Sequence, residues 1–184
     1  MTVDRDQVLR AAAAQLARRP ASTMDEVAKA AGVGRATLHR HFAGREALVR
    51  ALEELGIREL TRAMDIALDG AESATEALRR LIIETEPFSG LMSFLVSENQ
   101  LFEGDDVHEG WGRLDQRITE LFRRGQEAGE FRIDLSAAWL TEALYGLVGA
   151  AAWSVLNGRV GAREYTFALT ELLLGGCARR REGG

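Results

Sequence analysis

The stretch TMDEVAKAAGVGRATLHRHFAGR, residues 23–45, leaves the chain few options. Thr23 followed three residues later by Glu26 is a capping box. The hydroxyl accepts from the Glu26 amide, the carboxylate reaches back to the Thr23 amide, and a helix starts there. Val27, Ala28 and Ala31 share one face of that helix. Gly32 closes it, since glycine turns through positive φ at low cost. Val33 fills the angle before a second helix over 35–42, in which Leu38 and Phe42, four residues apart, point the same way. Arg35, Thr37, His39, Arg40 and His41 remain outside, a face of phosphate and base-edge donors with no acid among them.

Two short helices around a glycine turn form a helix-turn-helix, whose second helix enters the DNA major groove. Residues 8–48 resemble the N-terminal domain of the tetracycline-repressor (TetR) family. The matching residues are Ala11-Ala12, Val27-Ala28, Ala30-Ala31-Gly32-Val33, Thr37-Leu38, His41-Phe42 and Arg45-Glu46-Ala47-Leu48. The resemblance implies an all-α fold of about nine helices. It divides the chain into a three-helix DNA-binding head over 1–48 and a helical ligand-binding and dimerisation body over 49–184. It also implies a homodimer through the last two helices, a palindromic double-stranded operator, and release by a small-molecule effector.

Carried over position by position, the resemblance turns Thr23, Gly34, Arg35, Ala36, Thr37, His39, Arg40, His41 and Arg45 toward DNA. Thr23 caps the helix and offers its hydroxyl to a phosphate. Arg35 reaches a guanine or a phosphate, and Thr37 offers a hydroxyl to phosphate and a methyl to thymine. Arg40 is the candidate for a bidentate guanine contact, and His41 and Arg45 for phosphate clamps. Two residues depart from the family pattern: His39 stands where tyrosine is common, and Gly34 where serine is common.

Charge agrees with this division. Residues 1–50 hold 9 Lys and Arg against 5 Asp and Glu, a net of +4, while the rest hold 14 against 23, a net of −9. Screening confines distant charge to about 8 Å at physiological salt, so a basic head on an acidic body still attracts DNA. Of the 23 cationic side chains 22 are arginine, a bias consistent with high-GC coding as much as with contacts.

No apolar run of 18 residues stands out, so no membrane span is expected, and MTVDRDQVLR lacks the apolar core of a signal peptide. The single Cys177 allows no internal disulfide and fits a cytoplasmic setting. No nucleophile elbow, P-loop or dinucleotide fingerprint occurs, so neither an enzyme nor a cofactor is expected. His39 and His41, two apart on a helix, do not face one another as metal ligands. Asp105, Asp106, His108 and Glu109 fall in an acidic, Gly-containing stretch over 103–110 that reads as a solvated loop.

The remaining pattern is helical throughout. Helices are expected over 4–19, 45–68, 74–86, 107–128, 137–156 and 162–177, with a break at Pro87 and a turn at 129–132. The segment 88–102 is apolar but too polar at its end for one helix, and Arg179, Arg180 and Arg181 form a tail. The helix over 137–156 is apolar nearly all round and should be buried on every side. Phe88, Met92, Phe94, Trp111, Leu114, Trp139, Glu142 and Tyr145 are candidates for an effector pocket, although aromatics at this spacing also serve as plain core. Glu142 stands out, because an acid in so apolar a helix needs a partner or a ligand unless it faces solvent at an edge. A ligand-independent DNA-binding accessory protein, or an activator, remains the alternative.

Overall fold

Asp4 caps the first helix, α1 (Arg5–Arg18), by accepting from the Asp6 amide at 3.0 Å. Val8, Leu9, Ala12, Ala13 and Leu16 bury its inner face. The computed structural model describes residues 4–97 and 105–178, which form nine α-helices and one 3-10 turn. α2 (Met24–Ala30) and α3 (Arg35–His41) complete the head, and α4 (Arg45–Leu68) leads out of it into the body. A boundary near residue 48 therefore falls inside α4, a single rod shared by head and body.

α5 (Ala74–Thr85) starts on Ser73, whose hydroxyl accepts from the Glu76 amide. Pro87 ends it in a 3-10 turn (Glu86–Phe88), and the chain resumes at once as α6 (Ser89–Ser97). α7 (Asp105–Glu127) begins inside the acidic stretch expected to be a loop, so residues 105–110 are helical. The rest of that stretch and the Arg179–181 tail lie outside the described residues.

Gly129, at φ +73°, turns the chain toward α8 (Ala137–Leu156), which starts on Ser136 as expected. α9 (Ala162–Cys177) follows. Phe131 forms an isolated antiparallel bridge with Ala178. Burial raises the Cys177 thiol to about 11, so it stays protonated and unreactive.

α8 packs against α6, α7 and α9 and forms the middle of the body. Its mean hydropathy of 1.2 is enough, by length and composition alone, for a membrane span, a test that the core helix of a folded body passes too. It corrects one expectation, since it is not buried on every side: Trp139 is 61% exposed and Trp153 43%. On α9, Phe167 and Leu172 are exposed to 69% and 63%. The protomer thus carries an apolar face over its last two helices that it does not itself cover.

One close approach fixes how α7 meets the turn after it. A Cβ added at Gly125 would lie 2.2 Å from Cδ2 of the buried Phe131 ring and 3.0 Å from the Ala74 Cβ. Phe131 cannot step aside, because it also packs tilted on Phe122 at 5.7 Å. Gly125→Ala should therefore cost about 1–3 kcal/mol of overpacking. Urea unfolding checks this through a lower midpoint at unchanged slope.

Candidate nucleic-acid interface and effector cavity

The head is built from the α2 cap outward. Thr23 Oγ1 accepts from the Glu26 amide at 3.3 Å, and the Thr23 amide donates to Glu26 Oε2 at 2.7 Å. The Thr23 hydroxyl proton also goes to Glu26 Oε2, at 3.0 Å. Those bonds from Thr23, the amide's first, hold the Glu26 carboxyl below its usual range. The hydroxyl expected to donate to a phosphate is thus already donating within the cap. Gly32, at φ +67°, makes the turn.

Gly34 then leads into α3 with no side-chain cap, the consequence of glycine where serine is common. Leu38 and Phe42 anchor α3 from beneath, at 0% and 2% exposure. The Arg5 guanidinium covers the Phe42 ring at 5.2 Å. On the outer face Arg35, Ala36, His39, Arg40 and His41 are exposed and Thr37 is half-buried. This is the side-chain set expected from the helical pattern.

Two arginines have partners that the linear pattern did not reveal. Arg35 pairs with Asp25 of α2 at 3.1 Å, both exposed, so an acid does stand beside the donor face. Arg45, at the start of α4, donates to the carbonyls of Ser22 and Pro20 at 3.2 and 2.8 Å. It ties α4 to the loop before α2, where a phosphate clamp was expected. Gln15 holds the same loop through Ser22 Oγ at 2.9 Å.

The head is joined to the rest of the fold by ion pairs. Arg10 meets Glu59 at 2.6 Å, and Arg58 places one nitrogen 3.0 Å from both oxygens of Asp6, fixing α1 along α4. At the other end of α1, Arg18 donates to the Leu156 carbonyl at 2.8 and 3.1 Å, closing the C-terminal end of α8. α1 also lies on α6.

Beneath α6 the body holds a partly open cavity of about 510 Å³ between α4, α5, α6, α7 and α8. Four expected residues line it: Met92, Trp111, Glu142 and Tyr145. Four do not. Phe88, Phe94 and Leu114 are buried core, while Trp139 points out of the protomer on the uncovered face. Periodicity identifies a helix face but not which neighbour it meets, so core and cavity aromatics look alike in sequence. Thr85 and Asp115 are lining residues that the pattern did not single out. Thr85 Oγ1 lies 3.1 Å from the hydroxyl of Tyr165, whose pKa burial pushes up to about 12.

Tyr145 hydroxyl donates to Asp115 Oδ1 over a long 3.5 Å. Burial, then the Asp115 and Glu142 charges, push the Tyr145 pKa upward, so it stays a neutral donor. Trp111 Nε1 is buried with no acceptor among the described residues. No group of three or more His, Cys, Asp or Glu that could hold a metal ion occurs among the described residues.

Comparison with known proteins gives this architecture a context. Residues 8–52 match the family described as bacterial regulatory proteins, tetR family. The HTH-type transcriptional regulator NfxB of Pseudomonas aeruginosa is 35% identical over 178 residues, covering 94% of each chain. The chain belongs to the tetR family. The HTH-type transcriptional repressor LfrR of Mycolicibacterium smegmatis is 26% identical over 155 residues, 84% of this chain and 80% of its own. The crystal structure of LfrR in complex with proflavine superposes with a TM-score of 0.73 at 23% identity, over 96% of this chain and 97% of that one. At that identity the superposition speaks to a shared fold. Members of the tetR family are transcriptional regulators, so α2 and α3 are a DNA-binding helix-turn-helix and the chain is not an enzyme.

Proposed function

We propose that the protein is a homodimeric repressor that holds a palindromic operator and leaves it when a small molecule occupies the body cavity. The observation that carries this reading is the posture of α3. Leu38 and Phe42 anchor it, and Arg35, Ala36, His39, Arg40 and His41 are exposed on the outside. Arg40 is the base reader in this reading, with the planar fork that pairs two acceptors of guanine. Arg35, braced by Asp25, and Thr37 and His41 set the register on the phosphates. Thr23 and Arg45 support them indirectly, by fixing the α2 start and the loop before it.

Dimerisation through α8 and α9 would cover Trp139, Trp153, Phe167 and Leu172 and place two copies of α3 on one face of DNA. The cavity supplies the release. Its wall includes Met92, Leu95 and Val96 of α6, and α6 carries α1. A ligand that spreads α6 from α7 and α8 shifts α1, and through the Arg10–Glu59 and Arg58–Asp6 pairs shifts α4 as well. The heads then favour a spacing unsuited to DNA, and the population moves off the operator.

LfrR, with a comparable fold, is known in complex with proflavine, which supports a small-molecule effector over a ligand-independent accessory role. Footprinting on DNA upstream of the protein's own or a neighbouring gene tests the proposal. Two protected half-sites related by inversion, with centres about 34–36 Å apart, are expected. A single unsymmetrical footprint would refute the dimeric arrangement.

A further inference from the structure

The lining of the cavity contains two carboxylates and no counter-charge. Asp115 comes from α7 and Glu142 from α8, and none of the lining residues is Lys, Arg or His. The nearest arginines along α7 are engaged elsewhere: Arg113 with Glu109 at 3.4 Å, and Arg117 with Asp65 at 2.7 Å. Neither Asp115 nor Glu142 forms an ion pair among the described residues. Asp115 has only the long bond from the Tyr145 hydroxyl.

Each helix also brings an aromatic ring one turn from its acid. Trp111 precedes Asp115 by four residues on α7, and Tyr145 follows Glu142 by three on α8, spacings that place each pair on one helix face. The remaining wall is largely aliphatic, with Leu60, Leu81 and Ile82 opposite. Two aromatic rings beside two exposed carboxylates, in the wall of a partly open and largely apolar cavity, favour positive charge on a flat ring. The carboxylates supply the counter-charge, and the faces of Trp and Tyr attract cations through their quadrupoles. An anionic ligand would meet two like charges with no compensating donor beyond neutral groups.

We propose that the effector cavity selects flat aromatic organic cations, with Asp115 and Glu142 as the charge-selecting residues and Trp111 and Tyr145 as the flanking rings. This rests on the effector reading above and adds a ligand class to it. The raised Tyr145 pKa fits the same picture, since the phenol already senses both carboxylates.

Three fused-ring probes of like size separate charge from shape: an aminoacridinium cation, neutral acridine and anthracene carboxylate. Their affinities for the full chain without DNA are measured by calorimetry near neutral pH. The cation should bind at least about tenfold more tightly than acridine, as two partly solvated charge contacts allow, and the anion most weakly. The Asp115→Asn, Glu142→Gln double variant, isosteric and at exposed positions, should bind cation and acridine alike while its acridine affinity stays at the wild-type value. The charge assignment is overturned by a cation that does not bind or binds no better than acridine, by a tighter anion, or by a preference that survives in the double variant. Operator binding is measured on the same protein with and without the cation. Intact ligand-free operator binding with no cation preference removes this inference alone, whereas tight cation binding that leaves operator affinity unchanged removes the effector reading on which it rests.

Discussion

Phe167→Asp together with Leu172→Asp should leave a folded monomer that has lost more than about a hundredfold of operator affinity. Both side chains are well exposed in the protomer, at 69% and 63%, so replacing them removes little from its own core. In the proposed dimer the same positions meet a second copy of α8 and α9, where four buried carboxylates without partners would be strongly unfavourable. A single head contacts only a few base pairs, and coupling two raises effective concentration at the second half-site to the millimolar range. Loss of that coupling accounts for the expected drop. Analytical ultracentrifugation and a melting curve give the two controls: monomer mass with an unchanged transition. A double variant that remains a dimer would place the subunit contact on another surface.

Operator affinity should also fall about a thousandfold between roughly 50 and 200 mM salt. In the proposed complex each head would bring about three exposed cations to DNA, Lys29 of α2 with Arg35 and Arg40 of α3, so a dimer would displace the counterions of about six phosphates. Arg45 is left out of that count because its guanidinium is bonded to the Ser22 and Pro20 carbonyls. With about six phosphates the slope of log K against log salt is about −5. A titration of fluorescent operator at several salt concentrations measures the slope. A value steeper by about two would mean that Arg45 leaves the carbonyls and joins the phosphate contacts in each head.

The head was legible because its signals are local. The Thr23–Glu26 cap, the Gly32 turn and the spacing of Leu38 and Phe42 each sit within a few residues of one another, and the structure keeps all three. What sequence hid were partners across a turn. Asp25 reaches Arg35 from ten residues away, and Arg45 reaches back more than twenty to a loop. A family pattern assigns such arginines to DNA without registering what else is in reach.

The body was legible as helices and much less as a site. Trp111 and Trp139 share the same composition and helical context, yet one lines the cavity and the other faces out. The difference lies in which helix packs opposite, a long-range fact. Glu142 was found because an acid in an apolar helix violates the pattern, while Asp115, in the strongly amphipathic α7, violates nothing and passed unnoticed.

The most direct measurement is the affinity of wild type and Arg40→Ala for operator and for scrambled DNA at one salt concentration. If the exposed face of α3 reads base edges, Arg40→Ala loses about 1–3 kcal/mol on operator and far less on scrambled DNA, so the specificity ratio shrinks about tenfold or more. Equal losses on both, with the ratio unchanged, would contradict base reading by Arg40 and with it the placement of α3 in the groove.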